Sequence, residues 1–196
     1  SDALLVQALA YYEDRLRGED PRAISAIRAW ASRGALGRVR RTAWSAIEQA
    51  LWDILGQSLS VPIHVLLGGA VRDRIRLYAN INRHVRTRSA EGFAAAASAA
   101  VGDGFTAVKL APFDEVIGPD RTRTGRRAAW QPGVERVRAV RQAIGPDVEL
   151  MVDCHGRFEP SEAIRVAEAL GDLDLLWLEE PVPDTRLEAL QQLSAR

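Results

Sequence analysis

The chain has 196 residues, enough for one large or two small domains with a real hydrophobic core. Its 26 Lys and Arg balance 26 Asp and Glu, so the net charge does not point to nucleic acid or an anionic membrane surface as a partner. No apolar run approaches the roughly 20 residues that a membrane span needs, and no basic start leads into a signal-like apolar stretch, so a soluble, cytoplasmic protein is expected. The single cysteine, Cys154, rules out an internal disulfide and fits a reducing compartment.

The first 70 or so residues read as helices. Leu4, Leu5, Ala8, Leu9 and Tyr12 recur at helical spacing, followed by Ile24, Ile27 and Trp30, then by Trp44, Ile47, Leu51, Ile54 and Leu55. Gly18, Gly34, Gly37, Gly56, Gly68 and Gly69 punctuate them, with Pro21 and Pro62 as further breakers. After Arg74 short apolar strands alternate with helices. Strands are expected at residues 75–81, 106–111, 148–154 and 175–179, and helices at 90–101, 133–144, 161–170 and from 185 onward. The helix at 161 opens with a partial capping box around Ser161. Residues 120–127, carrying Arg121, Arg123, Arg126 and Arg127, read as a solvated loop, with a clamp for an anionic substrate as the minor option.

Strands separated by helices in this rhythm make parallel βαβ units with right-handed crossovers. A closed eight-unit barrel needs about 250 residues, and the repeat here stops in its fourth helix, leaving unpaired edges. The sequence therefore describes part of a (β/α) barrel, or else a small open flavodoxin-like sheet.

Strand parity then places the polar groups. Met151, Asp153 and His155 share one face of their strand, with Cys154 facing the other way into the core. Trp177 and Glu179 share a face of the next strand, and Ala107, Lys109 and Ala111 go together on an earlier one. Lys109 is the only lysine beside 25 arginines, and lysine is the cation whose pKa moves readily on burial. The alternative for Lys109 is a snorkelling strand-end side chain. Asp153 and Glu179, on neighbouring strands at the ends of apolar runs, would be costly unpaired. Either a hard cation such as magnesium lies between them, or they form salt bridges with Arg157 or Lys109. His64 and His84 read as ordinary polar residues.

The segments Ala46-Ile-Glu-Gln-Ala-Leu-Trp-Asp-Ile-Leu-Gly56, Leu66-Leu-Gly-Gly69, Gly104-Phe-Thr-Ala-Val-Lys-Leu110, Val152-Asp-Cys-His-Gly-Arg157 and Trp177-Leu-Glu-Glu-Pro181 stand in an order and at separations that resemble the mandelate racemase branch of the enolase superfamily. The resemblance implies that residues 1–72 are the helical part of an N-terminal α+β capping domain and residues 73–196 the first half of a (β/α) TIM-type barrel. It also implies magnesium-dependent abstraction of a proton next to a carboxylate, giving an enediolate that the metal stabilises. By motif position Asp153 and Glu179 are implied as metal ligands. Many racemases of the family carry Lys-x-Lys on the second barrel strand, with the second lysine as a base; here Ala111 stands at that position, which implies Lys109 as the partner of the substrate carboxylate or a tuner of nearby groups and not as the main base. His155 resembles the general acid of the family's acid-sugar dehydratases. The expected function is thus dehydration of a sugar acid, with a racemase or epimerase, or a non-catalytic half-barrel module, as alternatives. The expected partners are a small-molecule sugar acid and further copies of the same chain, with neither nucleic acid nor membrane. The third metal ligand and the base are not among these residues, so the 196-residue chain alone is expected to be inactive.

Overall fold

Helix-forming sequence gives way to a strand–helix alternation near Ile75, and there the chain divides into two compact units, Ser1–Ile75 and Arg76–Arg196. The structure, a computed structural model, describes residues 2–33, 37–83, 85–116, 123–183 and 186–194. Gly34, His84 and Arg121 therefore lie outside the described residues. Among the described residues no helix is long and apolar enough to cross a membrane.

The first unit holds α1 (Asp2–Leu16), α2 (Ile24–Ala31), α3 (Arg38–Leu59) and the single-turn α4 (Ile63–Leu66). Its core gathers Ala8, Tyr12, Ile27, Trp44 and Leu51 from three helices. The Tyr12 ring, fully buried, meets Trp44 at 5.8 Å and Trp30 at 6.4 Å between centroids. Leu4, Leu9 and Ile54 belong to the expected apolar stripes but are exposed. Gly56 is not a breaker: it lies inside α3, which ends instead at Ser60 in the left-handed region. A Cβ on Gly56 would stand 2.9 Å from the Val61 carbonyl oxygen, so glycine here permits the chain to fold back over its own helix.

The second unit runs β1 (Ala79–Asn80), α5 (Ala90–Gly102), β2 (Ala107–Leu110), α6 (Arg123–Ile144), β3 (Glu149–Asp153), α7 (Pro160–Leu170), a 3-10 turn at Gly171–Leu173, β4 (Leu175–Glu179) and α8 (Leu187–Ser194). The strands are all parallel and lie in the order β1-β2-β3-β4. Sequential order without a reversal excludes the flavodoxin-like alternative and gives a partial (β/α) TIM-type barrel preceded by a helical segment. Val108, Leu110, Leu150 and Val152 point outward into a core completed by Phe93, Val137 and Val166 of the surrounding helices.

Three expectations need correction. The strand expected at 75–81 is reduced to two residues, because β1 has a single neighbour and only Ala79 and Asn80 find partners on β2. Residues 123–127 are helix and not loop, since α6 begins ten residues before the expected start and runs through Pro132. Arginine is a good helix former, and α6 continues through Pro132 although an interior proline loses one amide donor and crowds the carbonyl four residues before it. The cap of α7 sits two residues earlier than Ser161: Glu159 precedes Pro160, and its amide donates to the Glu162 carboxylate at 3.1 Å.

Candidate active site

The inner face of the sheet carries the chemistry. Lys109 stands opposite Met151, Met151 opposite Trp177, and Asp153 opposite Glu179 in the strand registers. An irregularity between Leu150 and Met151 lets β4 take one extra residue, so Trp177 and Glu179 meet the inner side chains of β3. The sheet curls enough that Tyr78, beside β1, and Trp177, on β4, touch edge to face at 5.9 Å, although their strands lie at opposite edges.

Lys109 does not snorkel. Only 6% exposed, it donates from Nζ to Glu179 Oε2 at 2.7 Å and to Asp153 Oδ2 at 3.4 Å, and lies 5.5 Å from the centre of the Tyr78 ring. Burial pulls this ammonium toward the neutral form, but the hydrogen bond to Glu179 and the charges of Glu179 and Asp153 outweigh it, so its pKa stands above the ordinary value. Lys109 is therefore an ammonium at neutral pH, fit to attract an anion and not to take a proton. The indole of Trp177 also donates to Glu179 Oε2, at 3.2 Å.

After Asp153 the chain leaves the strand through a strained turn. His155 has φ +48° and Gly156 φ +64°, and the His155 amide donates to Asp153 Oδ1 at 3.0 Å. Amides of Cys154 and Gly156 donate to the Glu179 and Glu180 carbonyls at 2.9 and 2.7 Å, which ties this turn to the end of β4. The turn, rather than strand alternation, brings the His155 ring to the site: Nε2 lies 3.2 Å from Asp153 Oδ2 and Nδ1 2.6 Å from Asp114 Oδ1.

Lys109, Asp153, His155 and Glu179 are thus brought together at the C-terminal end of the sheet, where ligands bind in this kind of fold. Arg157 pairs with neither site carboxylate; its Nη2 lies 3.8 Å from Asp114 Oδ1. Cys154 is buried in the core, and burial pushes its thiol far up. His64 sits exposed on α4. Asp114 is the site residue that the sequence did not reveal: it lies in an unpatterned loop, and its one signal is its place just beyond the end of β2, as His155 lies just beyond β3.

Two carboxylates paired in register form a hard-oxygen donor set of the kind magnesium takes, and a positive charge already fills the place between them. Asp153 and Glu179 fit as two ligands of such an ion. Among the described residues no cluster of three or more His, Cys, Asp or Glu side chains is arranged to hold a metal, so these two would not complete its shell.

Comparison with known proteins identifies the family. Residues 92–196 match the family described as Enolase C-terminal domain-like, and residues 2–68 match the mandelate racemase / muconate lactonizing enzyme N-terminal domain. The D-gluconate dehydratase of Thermoproteus tenax is 35% identical over 151 residues, covering 77% of this chain and 29% of its own length. The D-galactonate dehydratase of Verminephrobacter eiseniae is 36% identical over 200 residues, covering 99% of this chain and 50% of its own. The crystal structure of a mandelate racemase/muconate lactonizing enzyme-like protein from Rubrobacter xylanophilus superposes with a TM-score of 0.83 at 37% identity, over all of this chain and 55% of that one. The chain spans half or less of the length of these two dehydratases.

Proposed function

This chain belongs to the mandelate racemase and muconate lactonizing enzyme family of the enolase superfamily, and on that premise we propose that it forms the acid and metal side of a sugar-acid dehydratase. The observation that carries the proposal is the position of His155 Nε2, 3.2 Å from the same Asp153 oxygen that faces Lys109. An acid is thereby set beside the positive charge that would hold the substrate carboxylate.

In this reading Asp153 and Glu179 would hold magnesium, which supplies positive charge beside a substrate carboxylate and so acidifies the adjacent carbon. Lys109, once its two carboxylates are otherwise neutralised, turns its donors to the substrate carboxylate. A base outside this chain takes the proton from the carbon. His155 gives the proton from Nε2 to the departing hydroxyl, which leaves as water and not as hydroxide. Its side chain is 43% exposed, so a bound molecule can reach it. At the place where a second lysine would favour racemisation stands Ala111, fully buried.

The test is to supply the complete enzyme with magnesium and a panel of sugar acids and to follow keto-acid formation. The expected result is loss of water from one stereochemical class of sugar acid. Epimers interconverting without loss of water would turn the assignment to a racemase.

A further inference from the structure

The His155 ring has two nitrogens, and the proposed chemistry uses only Nε2. Nδ1 lies 2.6 Å from Asp114 Oδ1, the shortest polar contact the ring makes. An ionised carboxylate only accepts, so Nδ1 must carry the hydrogen in this pair. Nε2 faces a second carboxylate, Asp153 Oδ2 at 3.2 Å, so the shorter contact, to Asp114, is the one that sets the ring's orientation.

Asp114 is itself held in place. Arg88 Nη2 stands 3.6 Å from its Oδ2 and Arg157 Nη2 3.8 Å from its Oδ1, so two guanidiniums balance its charge while the ring makes the shorter contact. The loop that carries it is fastened by hydrogen bonds to three residues outside it. Arg88 donates to the Ala111 carbonyl and Arg136 to the Pro112 carbonyl, each at 2.7 Å, and the Ala111 amide donates to the Asn82 side chain at 2.5 Å. Glu115 pairs with Arg88 and with Arg136, the latter at 2.7 Å. Burial pushes Glu115 up, but the hydrogen bonds from both guanidiniums outweigh it and its pKa lies below the ordinary value. Between Ala111 and Val116 the apolar side chains are all buried, and the Phe113 ring meets Phe158 edge to face at 5.0 Å. That contact joins the loop after β2 to the loop after β3, which carries His155.

We infer that Asp114 is the positioning residue for His155, holding the hydrogen of Nδ1 and turning Nε2, which carries the transferable proton when the ring is an imidazolium, toward the Lys109, Asp153 and Glu179 cluster. A loop carboxylate paired with two arginines would thus fix the ring orientation of the acid and the hydrogen on its far nitrogen, in the way that a carboxylate behind a working histidine does. The inference rests on the dehydratase reading only for its consequence in the reaction, not for the state of the ring.

The ring can be read directly. In the complete enzyme labelled with 15N-histidine, long-range proton–nitrogen spectra at a pH where imidazoles are neutral distinguish the two tautomers. The His155 signals are identified by their loss in His155→Asn. The expected result is a hydrogen on Nδ1 in the wild type and in Asp114→Asn, whose amide oxygen still accepts. In Asp114→Ala the hydrogen should move toward Nε2, the form an unrestrained imidazole prefers. If Asp114→Ala does not fold, the wild-type and Asp114→Asn spectra decide alone. A wild-type ring with its hydrogen on Nε2, or a ring unchanged in Asp114→Ala, would overturn the inference. These spectra need no substrate, so they stand even if the sugar-acid assignment fails. Where elimination is measurable, Asp114→Ala should lower kcat roughly 10–100-fold with little change in KM, and Asp114→Asn should recover part of it. A shifted tautomer with unchanged kcat would deny Asp114 any part in the reaction.

Discussion

Lys109 shares one ammonium between two carboxylates, and this arrangement has measurable consequences. Replacing it by Met leaves Asp153, 7% exposed, with the His155 ring in place of a permanent cation, while Glu179, with 37% of its side chain exposed, is partly screened by solvent. The expected loss is about 1–3 kcal/mol, below the usual cost of breaking a fully buried pair. Its pH dependence has a definite sign. The folded-state pKa of Lys109 lies above the ordinary 10.5, so its contribution is complete below that value and is lost as pH rises through the folded value. Urea unfolding of wild type and Lys109→Met should therefore show a constant gap from neutral pH to about pH 10 that narrows above it. A gap that closes near neutrality contradicts the arrangement. The same substitution should tighten magnesium binding in calorimetry, because the ion no longer competes with an ammonium for the two carboxylates. Weaker binding would show that Asp153 and Glu179 do not hold the ion.

At the scale of the elements, the loop after β2 depends on a glycine in a neighbouring helix. A Cβ at Gly133 would lie 2.2 and 2.3 Å from atoms of the Phe113 ring, which is held on its other side by Phe158. Gly133→Ala in α6 should therefore cost roughly 1–3 kcal/mol by overpacking, read as a lower urea midpoint with an unchanged slope. An unchanged midpoint would mean that Phe113 has room to move and that the loop is not locked. How much could be read from the chain differs by element for physical reasons. β3 and β4 are bounded by apolar runs with period-two parity, so Asp153 and Glu179 could be assigned to one face from the sequence. The extra residue in β4 that brings Trp177 opposite Met151 leaves no mark in such a pattern. α6 was hidden by Pro132 and Gly133, which look like a boundary but lie within the helix. Asp114 was hidden because a loop fastened by arginine–carbonyl bonds has no periodicity. Lys109 was visible from composition alone, yet its bridging of two carboxylates was one of several open pairings.

The chain is a helical unit followed by a unit whose four-stranded parallel sheet has β1 and β4 at its edges among the described residues. On β4, Leu176 is 50% and Trp177 39% exposed, beside backbone groups with no further strand to pair with among the described residues. Such an edge invites association. The isolated 196-residue chain should self-associate in a concentration-dependent way in sedimentation velocity, whereas a monodisperse monomer would show that the edge is protected. The central claim, that His155 is the acid of a dehydratase, is tested most directly in the complete enzyme with His155→Asn. In deuterium oxide, NMR follows exchange of the hydrogen next to the substrate carboxylate, while keto-acid formation follows elimination. Proton removal needs no group from His155, whereas expulsion of the hydroxyl does, so elimination should fall about 10²–10⁴-fold while exchange persists. Exchange and elimination lost together in a folded variant, or neither of them changed, would contradict it.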